Sequence, residues 1–173
     1  HLFQLLREAN GLPVDPIPPG IDITDLRGGT VSAQYQTGSP TGEEYPNLID
    51  NNIDKKYLTF NPSAWIQYQV PSPYVVTSYT ISSANDSPER DPLSWTLQGS
   101  NDGSSWTTIV TRTNEDFPGR LQRRIFNFDN ATAYQYFRLN MSNNSGSILQ
   151  LAEIELFGEA SAAPSMQSGR DRA

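Results

Sequence analysis

The sequence predicts an all-β fold, an antiparallel sandwich or jelly roll, and three observations predict it. Hydrophobic residues recur with a period of two, short runs of this kind are separated by compact turn clusters, and the interior of the chain carries almost no helical spacing. "AWIQYQV" (64–70) sets Ile66, Tyr68 and Val70 on one face and Trp65, Gln67 and Gln69 on the other. "PLSWTLQGS" (92–100) sets Leu93, Trp95 and Leu97 against Ser94, Thr96 and Gln98. Alternation of this sort belongs to strands buried on one side, and neither segment could form an amphipathic helix.

Taken in order, the strands expected are "TVSAQY" (30–35), "AWIQYQV", "YVVTSYTISS" (74–83), "PLSWTLQGS", "SWTTIV" (105–110), "RRIFNF" (123–128), "YQYFRLNM" (134–141) and "LAEIELFG" (151–158). Turn residues punctuate them at Pro71-Ser72-Pro73, Asn101-Asp102-Gly103 and Asn143-Asn144-Ser145-Gly146. About eight strands in this span fit a sandwich or jelly roll. In this frame Trp95 and Trp106 face inward, while Trp65 stands on the polar face.

The 173 residues suit one core with extensions. The first twenty residues show Leu2, Phe3, Leu5 and Leu6 at helical spacing, then Asn10-Gly11 and a proline run, and read as the end of an upstream domain plus a stiff linker. Residues 160–173 have the composition of a flexible tail or linker. The folded unit is expected over 21–159.

A formal charge of −7 and a pI near 4.6 oppose a nucleic-acid partner, which needs clustered Lys and Arg, and make a membrane partner a poor fit. With no cysteine, disulfides, thiol catalysis and thiolate zinc sites are excluded. The one histidine is His1, outside the expected domain, so that domain has no imidazole base or ligand. No glycine-rich phosphate loop follows a strand. The carboxylate pairs Glu43/Glu44 and Glu153/Glu155 are what remains of an enzyme reading, and the adjacent Glu43 and Glu44 would point apart. The expectation is a non-catalytic chain.

The loop "LIDNNIDKKYLTF" (48–60) offers Asp50, Asn52 and Asp54 at alternate positions. Read alone it is a surface turn, a metal loop or half of a ligand site, since Asx-rich loops often satisfy their own backbone. The order of the segments narrows this. The loop precedes "AWIQYQV", and then come "VVTSYTI", "SANDSPERDPLSW", "WTLQGSNDGSSWTTI", "YQYFRLNM" and the closing "LAEIELFG". This succession resembles the discoidin superfamily, the coagulation factor five/eight type C domain, and within it the bacterial family-32 carbohydrate-binding modules. The likeness covers about residues 28–158.

The resemblance implies an eight-stranded antiparallel jelly roll, a structural calcium ion, and ligand binding by loops at one end. Matched by position, it implies calcium ligands from Asp50 and Glu153, with Leu48, Asn52, Lys55 and Ala152 contributing backbone or side-chain oxygens. Calcium takes six to eight hard oxygens, and Lys55 and Lys56 bring ammonium groups into the loop. Asn51 falls where related modules often carry glycine. The alternative for Glu153 is a solvated strand carboxylate.

Carbohydrate recognition needs an aromatic face and planar hydrogen-bonding groups. Such residues collect in loops expected at one end: Tyr57 and Phe60, then Asn85, Asp86, Glu89 and Arg90, then Phe117, then Asn143 and Asn144. Arg90 could instead serve as an ion-pair brace for its own loop. The implied function is a secreted, extracellular carbohydrate-binding module that targets an attached upstream catalytic domain to a glycan. The alternative is a protein- or lipid-adhesion module. Phe117 with Arg112, Arg120, Arg123 and Arg124 is a faint lipid-binding pattern, and those arginines could equally line a solvated strand edge.

Overall fold

The computed structural model describes residues 5, 6, 9, 10 and 17–162. Most of the expected amino-terminal helix and of both expected extensions lies outside the described residues. Ten strands follow in order: β1 (Ile21–Asp22), β2 (Thr30–Ala33), β3 (Tyr57–Thr59), β4 (Ser63–Ser82), β5 (Pro92–Ser100), β6 (Thr107–Arg112), β7 (Arg123–Asn127), β8 (Tyr134–Asn143), β9 (Leu149–Leu151) and β10 (Glu153–Ala160). All the strand pairings are antiparallel.

β4 organises the molecule. Its first half pairs with β2 and β8, with Ala33 and Leu139 both opposite Ile66. Its second half pairs with β10 and β7, with Ile154 and Arg124 both opposite Ile81. A strand has only two edges, so the halves belong to two layers: β2-β4-β8-β5-β6 and β1-β10-β4-β7. The turn expected at Pro71-Ser72-Pro73 is therefore a bend inside one twenty-residue strand. Pairing with β8 breaks between Gln69 and Tyr74, so the prolines sit where no ladder asks for their missing N–H donors.

The alternation seen in the sequence fills the space between the layers. Ile66 and Tyr68 of β4, Leu97 of β5 and Leu139 of β8 face Ile154 and Leu156 of β10. Trp95 is core as expected, edge-on to Phe126, with its indole N–H donating to the Tyr79 hydroxyl at 2.7 Å. Trp106 is not. It lies one residue ahead of β6, outside the strand's alternation, and stands half-buried on the outer face beside Arg138 and Tyr136.

In the smaller layer both faces are covered. Tyr79 and Ile81 point into the core, yet the intervening Ser78, Thr80 and Ser82 are fully buried too. The 3₁₀ turns Ile23–Asp25 and Tyr45–Ile49 pack on β10 and close this face, with Ile23 and Leu48 fully buried. Beneath them lies an ion pair between the Arg123 Nε and Glu155 Oε1 at 2.6 Å, to which the Thr80 hydroxyl adds a bond at 2.8 Å. The arginines of 112–124 are thus not a solvated edge: Arg123 is buried, Arg120 is bound to Asp91, and Arg124 pairs with Glu115 over the ring of Phe126.

Register decides which loops meet. Ser63 lies opposite Ser142 and Pro92 opposite Asn143, while Arg112 is opposite Trp95 near the start of β5. The Asn144 N–H donates to the Asp91 carbonyl and the Ser145 N–H to that of Glu89, both at 2.8 Å. The Leu121 N–H reaches the Ala84 carbonyl at 3.1 Å. Segments 34–62, 83–91, 113–122 and 143–148 therefore converge on one end. The "GSNDGSSW" turn belongs to the other. There the Asp102 carboxylate accepts the Ser104 and Ser105 N–H groups, which holds its pKa down to about 2, and Gly103 takes φ +72° against the Tyr136 ring.

Candidate functional site

At the convergent end the loops are tied by ion pairs that the side chains arrange among themselves. Arg120 grips the buried Asp91 carboxylate with both guanidinium nitrogens, Nη1 to Oδ1 at 2.8 Å and Nη2 to Oδ2. It also donates to the Phe117 carbonyl at 3.0 Å and the Asp86 carbonyl at 3.2 Å, so one side chain staples two loops. The sequence reading had no role of this kind for Arg120. The signal available was an arginine directly after Pro118-Gly119, which does not say which carboxylate it meets.

With Asp91 engaged by Arg120, Arg90 keeps a loose ion pair to Glu89 among the described residues, Nε to Oε1 at 3.7 Å. Both side chains are partly exposed. Asp86 is more committed: its Oδ1 accepts from the Lys56 ammonium at 2.9 Å and from the Gln150 amide at 3.0 Å. The Lys56 bond, then the Gln150 bond, lower the Asp86 pKa. Lys56 is correspondingly buried and does not crowd the Asp50 loop.

The aromatic candidates separate sharply. Phe60 is 59% exposed at the turn between β3 and β4. Tyr57 is a correction: it is fully buried in β3, opposite Leu151, with its hydroxyl donating to the Tyr35 carbonyl at 2.8 Å. Phe117 is a second correction. It is 3% exposed, packed against Trp95 with Arg124 over its ring, because the 113–122 loop folds its apolar residue inward to close the sandwich.

Asn143 is a structural residue by its contacts. Its side-chain amide donates to the carbonyls of Ser145, Gly146 and Ile148 at 2.9, 3.0 and 2.7 Å, closing its own turn. Asn144 and Asn85 are exposed, and β9 draws these parts together, pairing with β3 below Phe60 and packing against the turn Pro88–Arg90. Phe60, Asn85, Glu89, Arg90 and Asn144 thus remain as exposed or part-exposed side chains at one end. Tyr57, Phe117 and Asn143 are turned to internal duties.

The expected calcium loop lies beside this end. Glu153 is 1% exposed, so it is not a solvated strand carboxylate. Its Oε1 accepts the Asn52 N–H at 3.2 Å, while its Oε2 is buried with no hydrogen-bond partner. Burial, and then the neighbouring Asp50 carboxylate, push its pKa up to about 11. Asp50 Oδ1 also accepts the Asn52 N–H, at 2.9 Å, and Lys55 sits 3.5 Å from Asp50 Oδ2. Asn51 takes φ +59°, a left-handed turn that asparagine tolerates. Among the described residues no three His, Cys, Asp or Glu side chains cluster as a metal site. A cation here would rest on two carboxylates plus amide and backbone oxygens.

Comparison with known proteins places this architecture. Residues 30–154 match the family model of the F5/8 type C domain. A peptide-N(4)-(N-acetyl-beta-glucosaminyl)asparagine amidase of Arabidopsis thaliana is 34% identical over 132 residues, covering 68% of this chain and 18% of that protein. The E3 ubiquitin-protein ligase Ufd4 of Drosophila melanogaster is 28% identical over 107 residues, 57% of this chain and 4% of that protein. The chain therefore spans a small part of these relatives. Among solved structures, the Clostridium perfringens module CpGH89CBM32-5, in complex with GalNAc-beta-1,3-galactose, aligns with a TM-score of 0.64 at 17% identity over 75% of this chain and 94% of that one. The family 32 module of Clostridium perfringens NanJ, in complex with galactose, aligns at 0.62 with 15% identity over 75% and 93%. These structures share the fold. With the family model spanning most of the sandwich from β2 into β10, the chain belongs to the F5/8 type C domain family.

Proposed function

We propose that the chain is a non-catalytic carbohydrate-binding module whose ligand end is formed by Phe60, Asn85, Glu89, Arg90 and Asn144. The observation that carries this reading is the division of labour between the two arginines: Arg120 satisfies Asp91, which leaves the partly exposed Arg90 with a loose 3.7 Å pair to Glu89 at the same end of the sandwich as the exposed Phe60. An exposed ring at the same end as a guanidinium and a carboxylate suits a pyranose, whose C–H face stacks and whose hydroxyls both donate and accept. Two fold neighbours were solved with galactose or GalNAc-beta-1,3-galactose, and the amidase relative is named for a linkage to N-acetyl-beta-glucosamine, which supports a galactose- or hexosamine-bearing glycan as the ligand class. Short coverage of that amidase supports a module that delivers an attached enzyme. An extracellular setting belongs to the same proposal, and fractionation of the full-length protein checks it.

The lipid-adhesion alternative loses its apolar spike, because Phe117 is buried. The test is a glycan array run with calcium and with chelator, beside anionic liposomes. Binding to galactose- or hexosamine-terminated glycans is expected; binding to liposomes alone overturns the reading.

Calcium is the second part of the proposal. The orphaned Glu153 Oε2 and the adjoining Asp50 carboxylate are the donors that suit a hard cation, and Asn52 with the backbone of Leu48, Lys55 and Ala152 would complete the shell. When bound, the ion would supply charge compensation and hold the loop to β10. An ion bound only by the native state stabilises it by mass action, about 2.7 kcal/mol at a hundredfold excess over Kd. Excess chelator is therefore expected to lower Tm by several degrees. An unchanged melting curve would remove calcium from the proposal.

A further inference from the structure

The outer face of the larger layer carries a feature separate from the convergent loops. An open groove of about 400 Å³ runs across β4, β8, β5 and β6, lined by Gln34, Trp65, Ser94, Thr96, Asn140 and Ser142 among others. Register explains its construction. Trp65 lies opposite Asn140, Asn140 opposite Thr96, and Thr96 opposite Thr111, so one transverse row crosses four strands. The next row repeats the pattern with Ser63, Ser142 and Ser94. Rows two residues apart stand about 6–7 Å from each other, with strands about 4.8 Å apart.

The wall of the groove is prepared. Arg138 lies between two indoles, 4.2 Å from the Trp65 ring and 4.1 Å from that of Trp106, and its guanidinium is anchored on Gln67 Oε1 at 2.7 and 3.1 Å. It backs Trp65 from the row away from the groove, and so fixes the indole without the guanidinium lining the cavity. The outward side chains across both rows are hydroxyls, amides and one indole, without a charge, in a chain of net charge −7. Arg112 touches the groove, but it shares the inward parity of its partner Trp95 and sends its guanidinium over Phe126. Hydrogen-bonding capacity remains: Gln34 accepts the Trp65 N–H through Oε1, and Asn140 donates to Thr96 and Gln98, leaving the Gln34 amine and the Asn140 oxygen uncommitted among the described residues.

We propose that this groove is a second binding site, for an uncharged polysaccharide chain laid across the sheet with one sugar ring against Trp65. A lining of neutral donors and acceptors beside one aromatic wall matches an uncharged polyhydroxylated chain. A charged ligand would find one cation at the margin, Arg112, already set over Phe126 and 3.7 Å from the Glu115 carboxylate, and a protein partner would lack the apolar anchors that dominate such interfaces.

The test uses the chain with the convergent end disabled by Phe60→Ala and Arg90→Ala, so that the two sites fail separately. Affinity gels carry galactan, galactomannan or laminarin as neutral probes and polygalacturonate as a charged one. The disabled chain is expected to be retarded by at least one neutral gel. Adding Trp65→Ala weakens that retention about tenfold, Trp65→Phe restores most of it, and Thr96→Arg, which fills the groove from a solvent-facing position, abolishes it. Tm is followed for each variant. Retention on no neutral gel, retention only on polygalacturonate, or full retention by folded Trp65→Ala and Thr96→Arg variants overturns the proposal.

Discussion

Arg123→Ala is expected to cost about 3–5 kcal/mol of unfolding free energy, measured by urea denaturation. Arg123 and Glu155 are 0% and 1% exposed at their side chains, and the pair is covered by the turns over β10. Deleting the guanidinium leaves Glu155 in a layer that already holds the buried Glu153 and Asp22. The ion pair need not be net stabilising for this to hold, since desolvation offsets much of its attraction. Arg123→Met with Glu155→Leu, which keeps the volume and removes both charges, should therefore recover most of the loss. A cost below about 1 kcal/mol for Arg123→Ala would show that water reaches the pair.

Arg90→Ala is expected to abolish retention on a glycan affinity gel, and Phe60→Ala to weaken it, with Tm nearly unchanged in both. Each residue is at least partly exposed, and the ion pair that Arg90 makes among the described residues is the loose 3.7 Å contact to Glu89. Phe117→Ala should behave oppositely: emptying a core position costs about 3–5 kcal/mol, so its effect appears in Tm. Arg120→Ala separates the two explanations of any loss, because it releases the buried Asp91 and both loops together and should lower Tm as well as retention. Undiminished retention by folded Arg90→Ala and Phe60→Ala variants would sink the proposed site.

Much of the fold was legible because its strands are half-buried, and half-burial writes a period of two into the sequence. Ile66, Tyr68, Leu97 and Ile154 could be assigned to the core before their partners were known. Glu153 was legible as a residue facing away from Ile154 and Leu156, but not as a buried one, since the cover comes from turns about a hundred positions earlier. The twenty-residue β4 read as two strands, because prolines at 71 and 73 signal a turn locally and only pairing with four different strands shows a bend.

The candidate site divided on the same principle. Local chemistry marked out loops rich in Asx, Arg and aromatic residues, and that marking needed no tertiary knowledge. Whether a loop aromatic faces water depends on which segment folds over it. Phe60 follows a short strand and is left outside, whereas Tyr57 and Phe117 close gaps in the core. The same holds for the arginines: composition supplies the charge, and only the approach of Asp91 to Arg120 leaves Arg90 part-exposed with Glu89 as its loose partner. Alternation along a strand is a property of neighbouring residues and is carried by the chain itself. Burial and ion pairing in loops are set by residues tens of positions away, brought together only once the two layers have closed.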